Sequence, residues 1–368
     1  MILKKNKKII IGILLMVAII IIIALTPRNK VNDFRDKYAD VIDLNKDIGG
    51  IGRDNTYAKY LDKYTTAPRP EEDIDVVVSN YLKGENVELY SEFEGADDVI
   101  YTSDDSFVEW EIDVPRAGMY QIYMEYFPIQ SRGVDIERKL LINDELPFIG
   151  AETLCFTRLW TNKNEVIQDN QGKDIRPTQI DKPDWTKGYF KDDLGYYAEP
   201  YSFYFKEGLN TISLESVNEP VFIKKITLQA IKEKLNYIEY KTDRTDYQVS
   251  ELTLNYKKVI QGEDSSLRSS PSLYAIYDRS SSNTEPYSVS DIRLNMVGGN
   301  AWRIPGQWIE WDFNVPETGY YNITIKERQN YQRGIVSTRS LYIDGEIPFS
   351  EMKEISFKYS NQWESITL

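Results

Sequence analysis

The pattern of apolar and polar positions changes character three times along the chain. Ile9 to Leu25 are seventeen consecutive apolar or small residues. As a helix they span roughly 25 Å, close to the roughly 30 Å hydrocarbon core of a bilayer. From there to residue 70 the period is helical. Phe34, Tyr38, Val41 and Ile42 form one face, and Tyr57, Tyr60, Leu61 and Tyr64 form another, with Asp54 or Asn55 available as a cap. Gly49-Gly50 separates the two helices, and Pro68-Arg69-Pro70 ends the second. Beyond that point the period drops to two. Trp110, Ile112 and Val114 alternate with Glu111 and Asp113, and after a Pro115–Gly118 turn Tyr120, Ile122, Met124 and Tyr126 alternate again. This is the pattern of half-buried strands. Ile74–Val78 reads as an earlier strand, and Tyr201–Phe205, Thr211–Leu214 and Phe222–Leu228 as later ones.

The β part contains an internal repeat with a gapless offset of 201. Glu109-Trp110…Val114-Pro115…Gly118…Tyr120 recurs as Glu310-Trp311…Val315-Pro316…Gly319…Tyr321. Arg132-Gly133, Arg138, Leu140, Ile142, Glu145 and Pro147-Phe148 return as Arg333-Gly334, Arg339, Leu341, Ile343, Glu346 and Pro348-Phe349. Fifteen of forty positions are identical between 109–148 and 310–349, far above chance, so the unit is duplicated. Copy one runs on from Phe156 to Leu228, whereas copy two has eleven residues after Phe357. The counterparts of the three late strands are missing from copy two. The expectation is therefore a truncated second sandwich, with inner faces exposed and edges unpaired.

Several chemistries fall away on composition. The 368 residues include one Cys and no His, which removes imidazole catalysis, His-ligated zinc and internal disulfides. A net charge of −14 opposes nucleic-acid binding, which needs a basic face. Two carboxylates would suffice for a glycosidase, but no pair among the 58 acidic residues stands out, and the expectation is no enzyme. Lys4, Lys5, Lys7 and Lys8 precede the apolar run, and no small-x-small cleavage site follows it. The reading is an uncleaved signal-anchor: a cytoplasmic tail (1–8), a membrane helix (9–25) and everything after it outside the cell.

The repeat motifs and the late Gly208-Leu209-Asn210-Thr211-Ile212-Ser213-Leu214 resemble the galactose-binding-type jelly roll of carbohydrate-binding module families 6 and 35. The arrangement is also similar to the N-terminal region of large extracellular solute-binding proteins of Gram-positive bacteria. The resemblance implies an all-β fold of two tandem β-sandwich (jelly-roll) modules, at 71–232 and, incomplete, at 256–368. A helical stalk (26–70) precedes them and a charged linker (233–255) joins them. It implies a membrane-anchored, extracellular glycan-binding accessory with sugar-transporter components as partners. The alternative is a structural or protein-interaction module with no sugar site.

The resemblance further implies a structural calcium. Copy two keeps Glu263 and Asp264 at the position of its first ligands, while copy one has Val78-Ser79-Asn80 there and Lys224-Lys225 near its last strand. Sugar contacts are expected on loop aromatics, because binding residues concentrate on loops over a rigid scaffold. The candidates are Trp185, Tyr189, Tyr196 and Tyr197 in the long loop of copy one, and Tyr277, Trp302 and Trp308 in the insertion of copy two. Exposed coplanar rings would favour the sugar reading, and buried rings the interaction reading. Trp110 and Trp311 are expected in the core, and the duplicated arginines in structural pairs.

Overall fold

A computed structural model describes residues 55–244 and 255–368. The apolar run Ile9–Leu25 and the Phe34–Ile42 face lie outside the described residues, and among those described no helix is long and apolar enough to cross a membrane. Among the described residues two α-helices, α1 (Tyr57–Lys63) and α2 (Tyr237–Asp243), accompany an otherwise β architecture. Helix α1 is capped by Thr56, whose hydroxyl accepts from the Lys59 N–H, rather than by Asp54 or Asn55. The reason is spacing: Thr56 stands three residues before that orphan amide.

Copy one is built from β1 (Ile74–Val76), β2 (Lys83–Phe93), β3 (Ala96–Val114), β4 (Gly118–Phe127), β5 (Ile136–Ile142) and β6 (Leu154–Phe156). A long insertion follows, with β7 (Trp160–Asn162), β8 (Ile167–Gln168), β9 (Asp174–Ile175), β10 (Gln179–Asp181) and β11 (Thr186–Tyr189). Strands β12 (Ser202–Phe205), β13 (Gly208–Asn218) and β14 (Val221–Ala230) close the unit. Strand β3 belongs to both layers. Its Ile100–Thr102 stretch pairs with β14, and its Phe107–Val114 stretch pairs with β13. Its partner β2 slips register between Glu85 and Val87, at Asn86 with φ 54°. A bulge there bends the ribbon from one layer to the other.

The alternation read from the sequence places Trp110, Tyr120, Ile122, Met124 and Tyr126 in one core with Ile212, Leu214, Ile223, Ile226 and Leu228. The indole N–H of Trp110 donates to the Val78 carbonyl, 2.9 Å away. Gly118 is required by close approach, since a Cβ there would lie 2.6 Å from the Pro68 carbonyl oxygen. Strand β12 pairs with β4 on one side. On its other side the Tyr57 and Tyr60 hydroxyls of α1 accept from the Ser202 and Tyr204 N–H groups, each at 2.8 Å. The helix thus seals a sheet edge that would otherwise be free to pair.

Copy two contains β15 (Leu267–Arg268), β16 (Ala275–Ile276), β17 (Met296–Val297), β18 (Ile309–Glu310), β19 (Thr324–Glu327), β20 (Ser337–Arg339), β21 (Ile355–Phe357) and β22 (Glu364–Thr367). Several contacts repeat at the 201-residue offset. Ser337 faces Phe357 as Ile136 faces Phe156. Tyr321 donates to the Glu317 carbonyl as Tyr120 does to that of Arg116. Gly133 and Gly334 share φ of 80° and 79°, a left-handed position suited to glycine. Trp311 donates to the Gly262 carbonyl.

The two copies differ in exposure. Ile112 and Val114 are 6% and 0% exposed, while their counterparts Phe313 and Val315 are 48% and 43% exposed.

The insertion after β6 has a role that the sequence did not suggest. Its β10 and β7 join β15 and β18 of copy two in one four-stranded sheet. Arg268, fully buried, donates to Asn162 Oδ1 and Gln179 Oε1 across that seam. Nearby Arg293 pairs with Asp174 at 2.9 Å. Residues 55–368 accordingly form one compact unit.

Candidate functional site

A second, smaller aromatic cluster of copy one lies on the outer face of the β2–β3–β14–β4 layer. Alternation explains why. On β4 the even-numbered Tyr120 to Tyr126 point inward, so Phe127 points out, and Phe222 on β14 lies directly across from it. Phe93, at the turn end of β2, stacks on Phe222 with centroids 3.7 Å apart and planes 13° from parallel. Tyr90 meets the same ring edge-on at 5.1 Å, and Tyr101 lies 5.3 Å from it. Trp185, just before β11, leans on Phe127 and Phe93 at 5.5 and 6.3 Å.

Polar groups rim this cluster. The Trp185 indole N–H donates to the Glu94 carbonyl at 3.0 Å. The Lys224 ammonium sits 5.1 Å from the Trp185 ring and 2.9 Å from Glu125. The Tyr90 hydroxyl donates to Glu88, and that bond raises the Tyr90 pKa above the ordinary phenol value. Tyr90 and Leu89 remain 36% and 54% exposed. An apolar, ring-lined face with charged hydrogen-bonding groups at its edge can hold a flat, hydroxyl-rich ligand.

The loop residues singled out from sequence do not converge. Trp185 belongs to the face just described. Tyr189, farther along the same layer, packs on Tyr123 and donates to Gln229, and burial pushes its pKa up to about 12. Tyr197 packs edge-on against Tyr57 beside α1, while Tyr196 leaves its ring 80% exposed. In copy two the Arg339 guanidinium covers Trp302 at 4.5 Å, and the Trp302 indole N–H donates to Gln307. The Trp308 N–H donates to the Ser269 hydroxyl and its carbonyl accepts from the Ser269 N–H next to the bridging sheet, and Tyr277 is 44% exposed beside Arg279. Most of these rings are occupied by protein neighbours, and no coplanar row forms among them.

Tyr90, Phe93, Tyr101 and Phe222 were missed by sequence reasoning centred on loops. The available signal was two aromatics in the otherwise charged stretch Glu88-Leu89-Tyr90-Ser91-Glu92-Phe93-Glu94.

The duplicated arginines serve the fold. Arg132 reaches Glu219 at 2.8 Å, and buried Arg138 donates to the Asn218 carbonyl and the Thr102 hydroxyl. Lys225 pairs with Asp75.

In copy two Glu263 is buried, which raises its pKa to about 7, with Asp264 adding repulsion. No third Asp, Glu, Cys or His joins these two in a metal-holding group among the described residues. Calcium takes six to eight oxygens, so two carboxylates would leave most of its shell to carbonyls and water. The residues present are therefore a poor fit for a calcium site.

No protein family model matches the chain. No curated protein matches it either. Among solved structures, a family 35 carbohydrate-binding module from Clostridium thermocellum is 12% identical, with a TM-score of 0.26 over 44% of this chain and 100% of that one. The C-terminal family 6 module of a laminarinase from Zobellia galactanivorans is 14% identical, with a TM-score of 0.26 over 42% and 98%. A GH26-CBM35 mannanase from Podospora anserina is 10% identical, with a TM-score of 0.29 over 51% of this chain, which spans 32% of the mannanase. Likenesses at these scores carry no argument about ligand or activity.

Proposed function

We propose that this protein is a non-catalytic glycan-binding accessory that holds its ligand on the outer aromatic face of copy one. The observation that supports the reading is the Tyr90–Phe93–Phe222–Trp185 cluster. It is a small cluster apart from the main core, in which Phe222 is buried and Phe93, Tyr101 and Trp185 are partly buried, with Lys224, Glu125 and Glu88 at its rim. The motifs shared with carbohydrate-binding module families 6 and 35 point the same way. The proposal includes anchoring through residues 9–25 with the β part outside the cell, and service to a sugar-uptake system.

A second reading, a protein-interaction module without a sugar site, is favoured by a different observation. Trp185, Tyr189, Tyr197 and Trp302 are each engaged by neighbouring side chains. A glycan array probed with the protein separates the two. The expected result is binding to a restricted glycan class, weakened by about 1–3 kcal/mol in Trp185→Ala and in Tyr90→Ala. Absence of binding across the array sinks the sugar reading. Binding unchanged in both folded variants removes this face as the site.

A further inference from the structure

The ring cluster of copy one stands in an uneven electric field. Between Glu85 and Asp105 the chain carries eight carboxylates and no Lys or Arg. The β2–β3 hairpin gathers them: its Glu94-Gly95 turn brings Glu92 opposite Asp97, and its register sets Glu88 opposite Tyr101. Glu88, Glu92, Glu94, Asp97, Asp98 and Asp105 are all exposed, and among the described residues none of them forms an ion pair. Glu88 accepts from the Tyr90 hydroxyl at 3.0 Å and Asp105 from the Ser103 hydroxyl at 2.5 Å. Like charges directly opposite on neighbouring strands destabilise a hairpin, so the fold gains nothing from Glu92 facing Asp97. The Tyr101 phenol registers the field: burial raises its pKa, and Glu88, Asp104 and Asp105 raise it further.

The cations of the same layer are committed elsewhere. Arg132 pairs with Glu219 and Asp104. The Lys187 ammonium lies 3.8 Å from the Tyr123 ring, on a residue that faces Glu125 across the β11–β4 ladder. The Lys224 ammonium is held 2.9 Å from Glu125 and 5.1 Å from the Trp185 ring. That last contact shows what the face accepts, an ammonium seated between an indole and a carboxylate. The Lys224 side chain is 31% exposed, so a ligand ammonium meets the same two partners when it turns away.

We infer that the glycan held on this face carries free amines: a polymer of unacetylated hexosamine, its rings against Trp185 and Tyr90 and its ammonium groups toward the hairpin carboxylates. The inference rests on the glycan reading above and narrows it by charge complementarity. A uronic acid or a sulfated sugar is repelled by the same carboxylates, and a neutral sugar uses the rings alone. A second copy of this chain presents the same acidic hairpin and is repelled too.

The test is titration calorimetry on the purified full chain. The probes are a β-1,4-linked glucosamine hexamer, its N-acetylated form and a galacturonate hexamer, with polylysine as a control for charge alone. Expected is roughly tenfold tighter binding of the free amine than of the acetylated form at low salt, fading in about 1 M salt, where the screening length is about 3 Å. The preference also fades when the pH rises above the pKa of the sugar amine, and galacturonate does not bind. A variant with Glu92→Gln, Glu94→Gln, Asp97→Asn and Asp98→Asn, checked for an unchanged melt, loses most of the preference; asparagine suits the left-handed Asp98 position, φ 53°. Trp185→Ala weakens both hexosamine forms. Equal or tighter binding of the acetylated form, or a preference for galacturonate, overturns the inference and leaves glycan binding standing. A preference that survives in the folded variant without the four charges overturns it as well. Polylysine binding as tightly as the glucosamine hexamer, and insensitive to Trp185→Ala, would make this a site for basic peptides and overturn it too. No binding of either hexosamine form overturns it, and the glycan array then decides separately whether the glycan reading survives.

Discussion

Replacing Arg158 by Met tests what fastens the insertion to copy one. The Arg158 side chain is 0% exposed and sits between two carboxylates. It reaches Asp181 at 2.9 Å and Glu219 at 3.5 Å, and also donates to the Ile129 carbonyl. Glu219 is itself fully buried and Asp181 nearly so. Methionine fills much of the same volume and removes the charge. Glu219 would then keep only Arg132, whose guanidinium is largely in water. Asp181, whose Oδ1 already lacks a partner, would lose its cation altogether. Breaking a buried pair by removing one member costs about 3–5 kcal/mol. Against a whole-domain stability of about 5–15 kcal/mol, that is a large fraction.

A surface pair supplies the contrast. Lys139→Met breaks the half-exposed contact with Glu215 and should cost no more than about 1 kcal/mol. Urea unfolding at neutral pH measures both variants. Since Asp181 ends β10, Arg158→Met should also speed amide exchange at 160–162 and 267–268, across the seam with copy two. Burial already raises the pKa of Asp181 against the lowering pull of Arg158, so the variant should raise it further. A loss under 1 kcal/mol for Arg158→Met would refute the account of the network as a fastening.

Two other perturbations follow from the same geometry. Tyr57→Phe and Tyr60→Phe each leave a β12 amide without its acceptor; each should cost about 1–3 kcal/mol in urea unfolding, and the double variant should self-associate through the freed edge. Glu263 has its folded pKa raised from 4.5 to about 7, so the folded state binds the proton more tightly and stability falls as pH climbs from 4.5 through 7. Glu263→Gln should therefore stabilise by up to about 3 kcal/mol at pH 8 and by almost nothing at pH 4.5, read from thermal melts across pH. If calcium binds there, the carboxylate is held ionised, and the substitution in calcium would destabilise instead.

The parts of the fold legible in the sequence are those fixed by period and repetition. Alternation at Trp110–Val114 and Tyr120–Tyr126 set both strands and their inward faces, because a one-residue error would turn every side chain outward. The 201-residue offset carried over even to the hydroxyl bond of Tyr321. What stayed hidden depends on partners distant in the chain. Trp160–Asn162 has no strand period of its own; it is a strand because Arg268 and Gln179 lie beside it. Phe93 reads as one aromatic in a charged stretch, and only the register of β14 brings Phe222 beneath it. The loop aromatics were over-read for the same reason, since a sequence does not show that Trp302 lies under Arg339.

The arrangement of the two copies then has a consistent physical logic. Copy one closes on itself through β12–β14 and has buried apolar residues in both layers. In copy two the described residues form a small core around Met352, Ile355 and Phe357, and their strands are short. Its β18 is two residues long where β3 continues for nineteen, because a strand persists only while a neighbour satisfies its amides. What holds copy two in place is the insertion of copy one. Strand β7 gives β15 a neighbour, Arg268 anchors in Asn162 and Gln179, and Asp174 accepts from both Arg293 and the Leu294 N–H. Those contacts secure the β15–β18 side of copy two and leave the opposite side, lined by Phe313 and Val315, uncovered. The insertion thus ties copy two to copy one along the β15–β18 edge, through backbone pairing and two buried or half-buried arginines.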